Sequence, residues 1–162
     1  MKKIIGLILC GILTLVCLVG CEESKAVKGV NEGIDNYVQN TLNSFTEEGY
    51  NTSADILEKI YKDSSIRFEY IIIKDNTASL TVTIKNKNFN TIIDRGSDLA
   101  TSRANSATPF ETLMNIAMWE VYDKEEPEER EVELELFRVD DEWKLEAYSY
   151  DELVYLVTGI RD

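Results

Sequence analysis

The apolar residues of this chain change between helical and extended spacing four times, and this alternation constrains the fold more than any other feature. Helical spacing runs over 30–45 and, after a cap at Ser53, over 56–61. Alternating spacing then predicts a β-hairpin at about 65–87, with a tight turn at 74–77. The apolar residues that alternate on its first strand are Ile66, Phe68, Tyr70 and Ile72.

The second half of the chain repeats this order. Helical spacing returns over 89–100 and again over 110–121, where Thr108 is positioned to cap the helix. A second hairpin at about 131–147 has apolar residues alternating with glutamates. Asp151 is positioned to cap a short last helix, which Gly159 ends.

These elements predict an α+β domain in which an N-terminal helix pair packs on a curved four-stranded antiparallel sheet. A single domain over 29–162 is the simplest division, since no linker, repeat or low-complexity tract interrupts it. Beyond Cys21 the sequence has no cysteine, so a disulfide within the domain is excluded. A chain of 162 residues is long enough to be stabilised by its apolar core alone.

The N-terminus has the pattern of an export signal. A basic start, Met1-Lys2-Lys3, precedes an uncharged run of seventeen residues, Ile4 to Gly20, and the end of this run with the next residue reads Leu18-Val19-Gly20-Cys21. These last four residues resemble the bacterial lipobox. The resemblance implies that 1–20 is a signal peptide and that Cys21 is lipidated with two acyl chains at the outer side of the cell membrane. The short, polar composition of the residues that follow predicts that 21–28 is a lipidated tether. The alternative is an uncleaved transmembrane anchor, for which the run is slightly short.

Three segments carry a second resemblance: the stripe over 30–45, the strand over 78–84, and the turn and strand Asp141-Glu142-Trp143-Lys144-Leu145. Over about 28–160 the chain resembles small Gram-positive lipoproteins of unknown function with a nuclear-transport-factor-2-like, or cystatin-like, fold. That resemblance implies a cone of helices and sheet that often holds a pocket for a small apolar ligand. Family members with isomerase activity use an Asp base and a Tyr-assisted oxyanion site, but neither motif can be matched here, so no catalytic residue carries over.

Composition excludes several classes of function. The chain has no histidine, which excludes Ser-His-Asp triads, Cys-His pairs and histidine-ligated zinc. Its 30 acidic and 17 basic residues give a net charge of −13, which argues against binding nucleic acid. No phosphate-cradling loop is present, and the sequence predicts neither a cofactor nor a metal centre.

The densest charge lies in 120–142, where twelve acidic residues stand against three basic ones. This segment fits a solvated helix end and strand face, a docking surface for a basic protein partner, or a calcium patch. The calcium interpretation lacks the spacing and central glycine of an EF-hand.

Aromatic residues give a second set of candidate site residues. They could line a ligand pocket under the helices, or they could fill the core, which is the more common role of such residues. The pocket candidates are Tyr70, Phe110, Trp119, Trp143 and Tyr148, with Arg103 as a polar partner.

Three functions remain open on the sequence. The favoured one is a non-enzymatic binding or protein-interaction module that is anchored at the membrane and faces outside the cytoplasm. A small-molecule carrier that uses the cavity between helices and sheet is the alternative. An enzyme that relies on carboxylates and tyrosines is less favoured, because acid–base catalysis needs a desolvated carboxyl group and alternation places Glu131, Glu133 and Glu135 in solvent.

Overall fold

The computed structural model describes residues 2–104 and 107–161, with side chains from residue 20 onward. Within that part of the chain, helices and strands follow one another in the predicted order. They are α1 (Lys2–Glu47), α2 (Asn51–Lys62), β1 (Ser65–Lys74), β2 (Thr77–Asn86), α3 (Phe89–Ser102), α4 (Phe110–Lys124), β3 (Glu128–Val139), β4 (Glu142–Leu145) and α5 (Ser149–Thr158).

The four strands form one open antiparallel sheet in the order β1-β2-β3-β4. Two-residue turns close both hairpins, and Asp75, Asp140 and Asp141 have positive φ there, as short hairpin turns require. On β3, every second side chain from Arg130 to Leu136 is buried and the glutamates between them are exposed. The α+β class and both predicted hairpins are therefore confirmed.

A β-bulge on β1 corrects the predicted strand pattern. Glu69 pairs with Thr81, but Ile72 pairs with Ser79, so β1 has one extra residue between these two pairs. Tyr70 lies in the bulge with a φ of 50°. The extra residue exchanges the two faces of the strand. Consequently Ile71 and Ile73 pack on the core, whereas Tyr70 and Ile72, which the alternation placed with Ile66 and Phe68, are exposed.

Helix α1 also differs from expectation, because the segment predicted to be a polar tether is helical and part of the fold. Ala26 is fully buried and belongs to the core. Gly29 lies so close to β4 that an added Cβ would be 2.5 Å from the backbone oxygen of Trp143. Small residues at this position let the helix approach the strand, so the packed domain begins within the first two turns after Cys21.

The three predicted helix caps are wrong, although the helices themselves are present. Ser53 and Asp151 lie inside α2 and α5, and Thr108 lies one residue before the cap of α4. The predicted end of α5 is confirmed, since Gly159 adopts the left-handed conformation with a φ of 80°. The residues found at the three N-caps are Tyr50, Pro109 and Tyr148.

One buried charge joins α5 to the sheet. The Arg130 side chain is 2% exposed, and its Nε donates to the Leu156 carbonyl at 3.2 Å. Its Nη2 donates to the Asn86 side chain, whose amide donates to the Val157 carbonyl at 3.1 Å. A cation at a helix C-terminus is stabilised by the carbonyl dipoles there. Arg130 thus fixes the end of α5 at the end of the sheet that lies away from the two hairpin turns.

Candidate functional site

The predicted lipidation site lies at one end of the molecule, which we call the anchor end. Cys21 is exposed, and the next residue, Glu22, contacts Lys25 at 3.1 Å and Arg138 at 3.5 Å. The hydrogen bond from Lys25 lowers the pKa of Glu22. Because the Arg138 amide donates to the Asn76 carbonyl at 2.9 Å, both hairpin turns lie at the same end as Cys21.

The apolar run before Cys21 falls outside the residues whose side chains are described. Among the residues searched, no helix combines the length and the apolar character needed to cross a membrane. Lipidation of Cys21 and removal of 1–20 therefore stay predictions.

The face of the sheet opposite the core carries most of the candidate docking surface. Pairing between β2 and β3 sets Glu131, Glu133 and Glu135 beside Thr83, Thr81 and Ser79 in successive rows. Glu69 continues the middle row on β1. We call the surface around Glu69, Glu131, Glu133 and Glu135 the acidic face. All four of these glutamates are exposed.

Exposed apolar and aromatic side chains border the acidic face. Ile72, which is 54% exposed, shares a row with Ser79 and Glu135, and Tyr70 in the adjacent bulge is 77% exposed. Tyr148 hydrogen-bonds Glu135, and this bond, reinforced by desolvation and neighbouring carboxylates, raises the pKa of Tyr148 to about 12. The face therefore combines negative charge with large side chains that are available for contact. In the described part of the chain, no cluster of acidic or cysteine side chains is arranged to hold a metal ion.

A groove of about 590 Å³ lies at the other end of the molecule, and we call it the distal groove. One wall is the α1–α2 loop with the first turn of α2, and the other is the first half of α4. Its lining residues are Glu48, Gly49, Tyr50, Asn51, Thr52, Ser53, Phe110, Glu111, Met114, Asn115 and Met118.

A third cluster joins α2, α4 and the end of β2. The Tyr122 hydroxyl donates to Asp63 at 3.1 Å, and Lys59 pairs with the same carboxylate at 2.9 Å. These two hydrogen bonds lower the pKa of Asp63. Lys87 lies 4.1 Å from the centre of the Tyr122 ring and donates to the Tyr122 carbonyl at 2.6 Å. Every charged group named here has a partner, so the cluster has the character of a structural junction.

The structure distributes the six predicted pocket residues over several places. Tyr70 and Tyr148 border the acidic face, and Phe110 lines the distal groove. The rings of Trp119 and Tyr122 pack edge to face, with 5.4 Å between their centroids, and Trp143 is buried against α1. Arg103 forms a two-pronged ion pair with Glu120 at 2.8 and 2.9 Å. No single pocket among the described residues gathers these six side chains.

Sequence reasoning missed the wall of the distal groove that is formed by residues 48–53. The sequence carries no local signal for this wall, because Tyr50 has Ala54 and Leu57 at helical spacing and would be assigned to an apolar stripe. The sequence places Met114 only in the apolar helix stripe over 110–121, and it does not single out Met118.

No protein-family model matches the chain, and no curated protein matches it. Among solved structures, the chain is similar to a Bacillus subtilis protein described as "a putative lipoprotein (ycdA)", with 24% identity and a TM-score of 0.49. The match covers 78% of this chain but 46% of the neighbour, so this chain spans less than half of that protein's length.

Proposed function

We propose that this chain is a lipid-anchored protein on the outer side of the cell membrane that binds a basic protein partner through its acidic face. The role is non-enzymatic. The observation that carries the proposal is the arrangement of Glu69, Glu131, Glu133 and Glu135 in neighbouring rows on the solvent side of the sheet.

Charge complementarity supports a basic partner. The rows of Glu133 and Glu135 contain no lysine or arginine on β1, β2 or β3. Basic residues lie at both ends of the face: Arg67 in the row of Glu131 with Lys85 one row beyond it, and Lys74 and Lys144 in the row of Phe137. Arg67 pairs with Glu129 at 3.4 Å. The basic side chains therefore offset negative charge at the edges of the acidic face, whereas its centre around Glu133 stays negative. Fields of this kind accelerate association with an oppositely charged protein.

The large side chains beside the acidic face support a protein as the partner. Tyr70, Ile72 and Tyr148 together supply apolar area, and aromatic residues are enriched in protein interfaces. A surface built only for solubility would not need exposed tyrosine and isoleucine beside its carboxylates.

The proposed anchor rests on Leu18-Val19-Gly20-Cys21 and on the exposure of Cys21. Two acyl chains give stable membrane attachment, whereas one gives only marginal binding. The nuclear-transport-factor-2-like fold family is likewise our proposal, carried by the sequence resemblance and by the α+β architecture.

The acidic face is tested by comparing two charge-reversed variants of the full chain in phosphatidylcholine nanodiscs. Glu131→Lys/Glu133→Lys changes the face, and Asp98→Lys/Asp123→Lys changes two exposed acids on α3 and α4 by the same total charge. Fluorescence anisotropy measures binding of a labelled decalysine peptide. We expect about tenfold weaker binding for the sheet variant and about twofold for the control. Equal loss in the two variants would show that net charge alone attracts the probe.

The anchor is tested by metabolic labelling with an alkyne fatty acid. We expect label on the wild-type chain and none on Cys21→Ser, because the thiol of Cys21 is the proposed acceptor. Equal label on both chains would contradict the anchor without affecting the peptide experiment.

A further inference from the structure

The distal groove lies far from the proposed anchor. Helix α1 is unbroken from Cys21 to Glu47, and a helix rises about 1.5 Å per residue, so these residues are about 40 Å apart. Glu48 and Tyr50, which directly follow α1, form one wall of the groove. The groove is therefore separated from Cys21 by nearly the full length of the domain, and it is a different surface from the acidic face.

The groove has an exposed apolar lining. Tyr50 is 58% exposed and Phe110 is 51% exposed. The half-buried Met114 and the buried Met118 lie on the same wall of α4 as Phe110. Methionine side chains adapt their shape to an occupant and are frequent in surfaces that bind peptides. Exposed large apolar side chains that share one concave surface mark a binding site.

The charges of the groove are negative and unneutralised. Its two charged lining residues are Glu48 and Glu111, and neither forms an ion pair with any residue that the structure describes. Glu120, further along α4, is by contrast paired with Arg103 at 2.8 Å. The N-termini of α2 and α4 each contribute about half a positive charge, which is less in total than two carboxylates. The groove therefore favours a cation beside its apolar lining.

The shape of the groove favours a peptide. About half of the surface of Tyr50 and of Phe110 remains open to solvent, so an occupant would be covered on one side only. An enclosed pocket surrounds most of a small ligand, whereas a peptide segment lies along an open groove. The first amide of α2 to bond within the helix turn is that of Ala54, to Tyr50 at 3.1 Å. The Tyr50 amide donates to the Phe45 carbonyl at 2.7 Å, and the amides of residues 51–53 can donate to peptide carbonyls.

From these observations we propose that the distal groove binds a peptide segment of a partner protein in which an apolar side chain lies next to lysine or arginine. The apolar side chain packs between Phe110 and the methionines, and the cation lies between Glu48 and Glu111. This proposal does not depend on the acidic face or on lipidation of Cys21.

The test uses a fluorescent five-residue peptide with lysine at each end and leucine, tryptophan and leucine between them. Anisotropy is measured on the full chain in phosphatidylcholine nanodiscs, and empty nanodiscs give the lipid contribution, which is the same for every variant. Phe110→Ser removes a groove side chain. Ile116→Ser is the matched control, because Ile116 is 50% exposed on the same helix but does not line the groove.

We expect Phe110→Ser to weaken binding about tenfold and Ile116→Ser to weaken it less than twofold. Glu111→Lys, which leaves the apolar lining in place, should weaken it about fivefold, as should glutamine in place of the peptide lysines. The Glu131→Lys/Glu133→Lys chain should retain these differences, which separates the groove from the acidic face.

Equal binding by the Phe110→Ser and Ile116→Ser chains would overturn the proposal. Equal binding of the lysine and glutamine peptides would overturn its cationic part. Sedimentation of the wild-type chain as a dimer, with Phe110→Ser monomeric, would assign the groove to a second copy of the chain and would also overturn it.

Discussion

The two ends of the molecule are built differently. At the anchor end, α1 lies close against β4 through Ala26 and Gly29, and Trp143 is 3% exposed. At the distal end, the N-cap residues of α2 and α4 are Tyr50 and Pro109, which make no side-chain cap bond, and Tyr50 and Phe110 are half exposed. The first end has the packing of a protein core, and the second has the exposed apolar surface of a binding site.

This difference shows where the fold is rigid and where it is open. A chain held by a lipid at Cys21 is connected to its anchor through the first turns of α1, which pack closely against β4. A surface that receives a partner must keep apolar groups in solvent, which excludes them from the core. The packed end and the open end therefore suit the two halves of the proposed function.

The largest effect on stability is expected at a buried charge that lies away from the anchor end. Arg130→Met removes the donors to the Leu156 carbonyl and to Asn86, which leaves buried acceptors unpaired. We expect the free energy of unfolding to fall by about 3 kcal/mol. Arg138→Met on the same strand is the control. Its ion pairs are with the partly exposed Glu22 and the exposed Asp141, and it should cost less than about 1 kcal/mol.

Denaturant unfolding of the detergent-solubilised chains, followed by tryptophan fluorescence, measures both values. A larger loss of unfolding free energy for Arg138→Met than for Arg130→Met would contradict the inference that the buried Arg130 network contributes more to stability.

The close contact at the anchor end predicts the next largest effect. In Gly29→Ala the new methyl group would be 2.5 Å from the backbone oxygen of Trp143, which cannot move without shifting β4. We expect a loss of about 2 kcal/mol. Gly33→Ala is the matched control, because its methyl group meets the end of the Leu145 side chain, which can rotate, and about 1 kcal/mol is expected. The same unfolding measurement checks both variants. Equal losses of unfolding free energy would mean that the backbone of β4 shifts to accommodate a methyl group at no greater cost than the Leu145 side chain does.

The contact between α1 and α2 predicts a smaller, pH-dependent effect. Desolvation and a hydrogen bond to Asp35 raise the pKa of Tyr61 to about 12, above the ordinary value of 10.0. The folded chain thus holds this proton more tightly than the unfolded chain. The stabilisation is complete below pH 10 and is lost as the pH rises through about 12.

The measurement compares the wild type with Tyr61→Phe between pH 9 and 12. We expect the difference in unfolding free energy between the two chains to shrink across this range. A constant difference for Tyr61→Phe would refute the raised pKa.

Much of the fold could be predicted because its signals are local. Alternating residues and turn-forming aspartates lie next to one another in the chain, and both hairpins follow from them. The bulge at Tyr70 could not be predicted, since an inserted residue leaves no mark until its partner strand is known. The same holds for Gly29, whose role depends on Trp143, more than a hundred residues away.

The candidate sites were less predictable for a related reason. The exposure of Glu131, Glu133 and Glu135 followed from alternation, and the structure has them on the solvent side. The distal groove joins the residues around Tyr50 with those around Phe110, and only tertiary packing brings these segments together. The predicted caps differ from the structure because each N-cap lies one to three residues from the expected position, at Tyr50, Pro109 and Tyr148, and local residue preference does not fix a helix boundary that closely.

The central claim is that the chain is held at one end and open at the other. It is tested most directly by nitroxide labels at Asp141, beside the anchor, and at Glu48, beside the groove, on the lipidated chain in anionic nanodiscs. A lipid-bound nickel chelate should relax the label at 141 strongly and leave the label at 48 unaffected, because about 40 Å of α1 separates Glu48 from Cys21. Equal relaxation at the two positions, or faster relaxation at 48, would contradict the account.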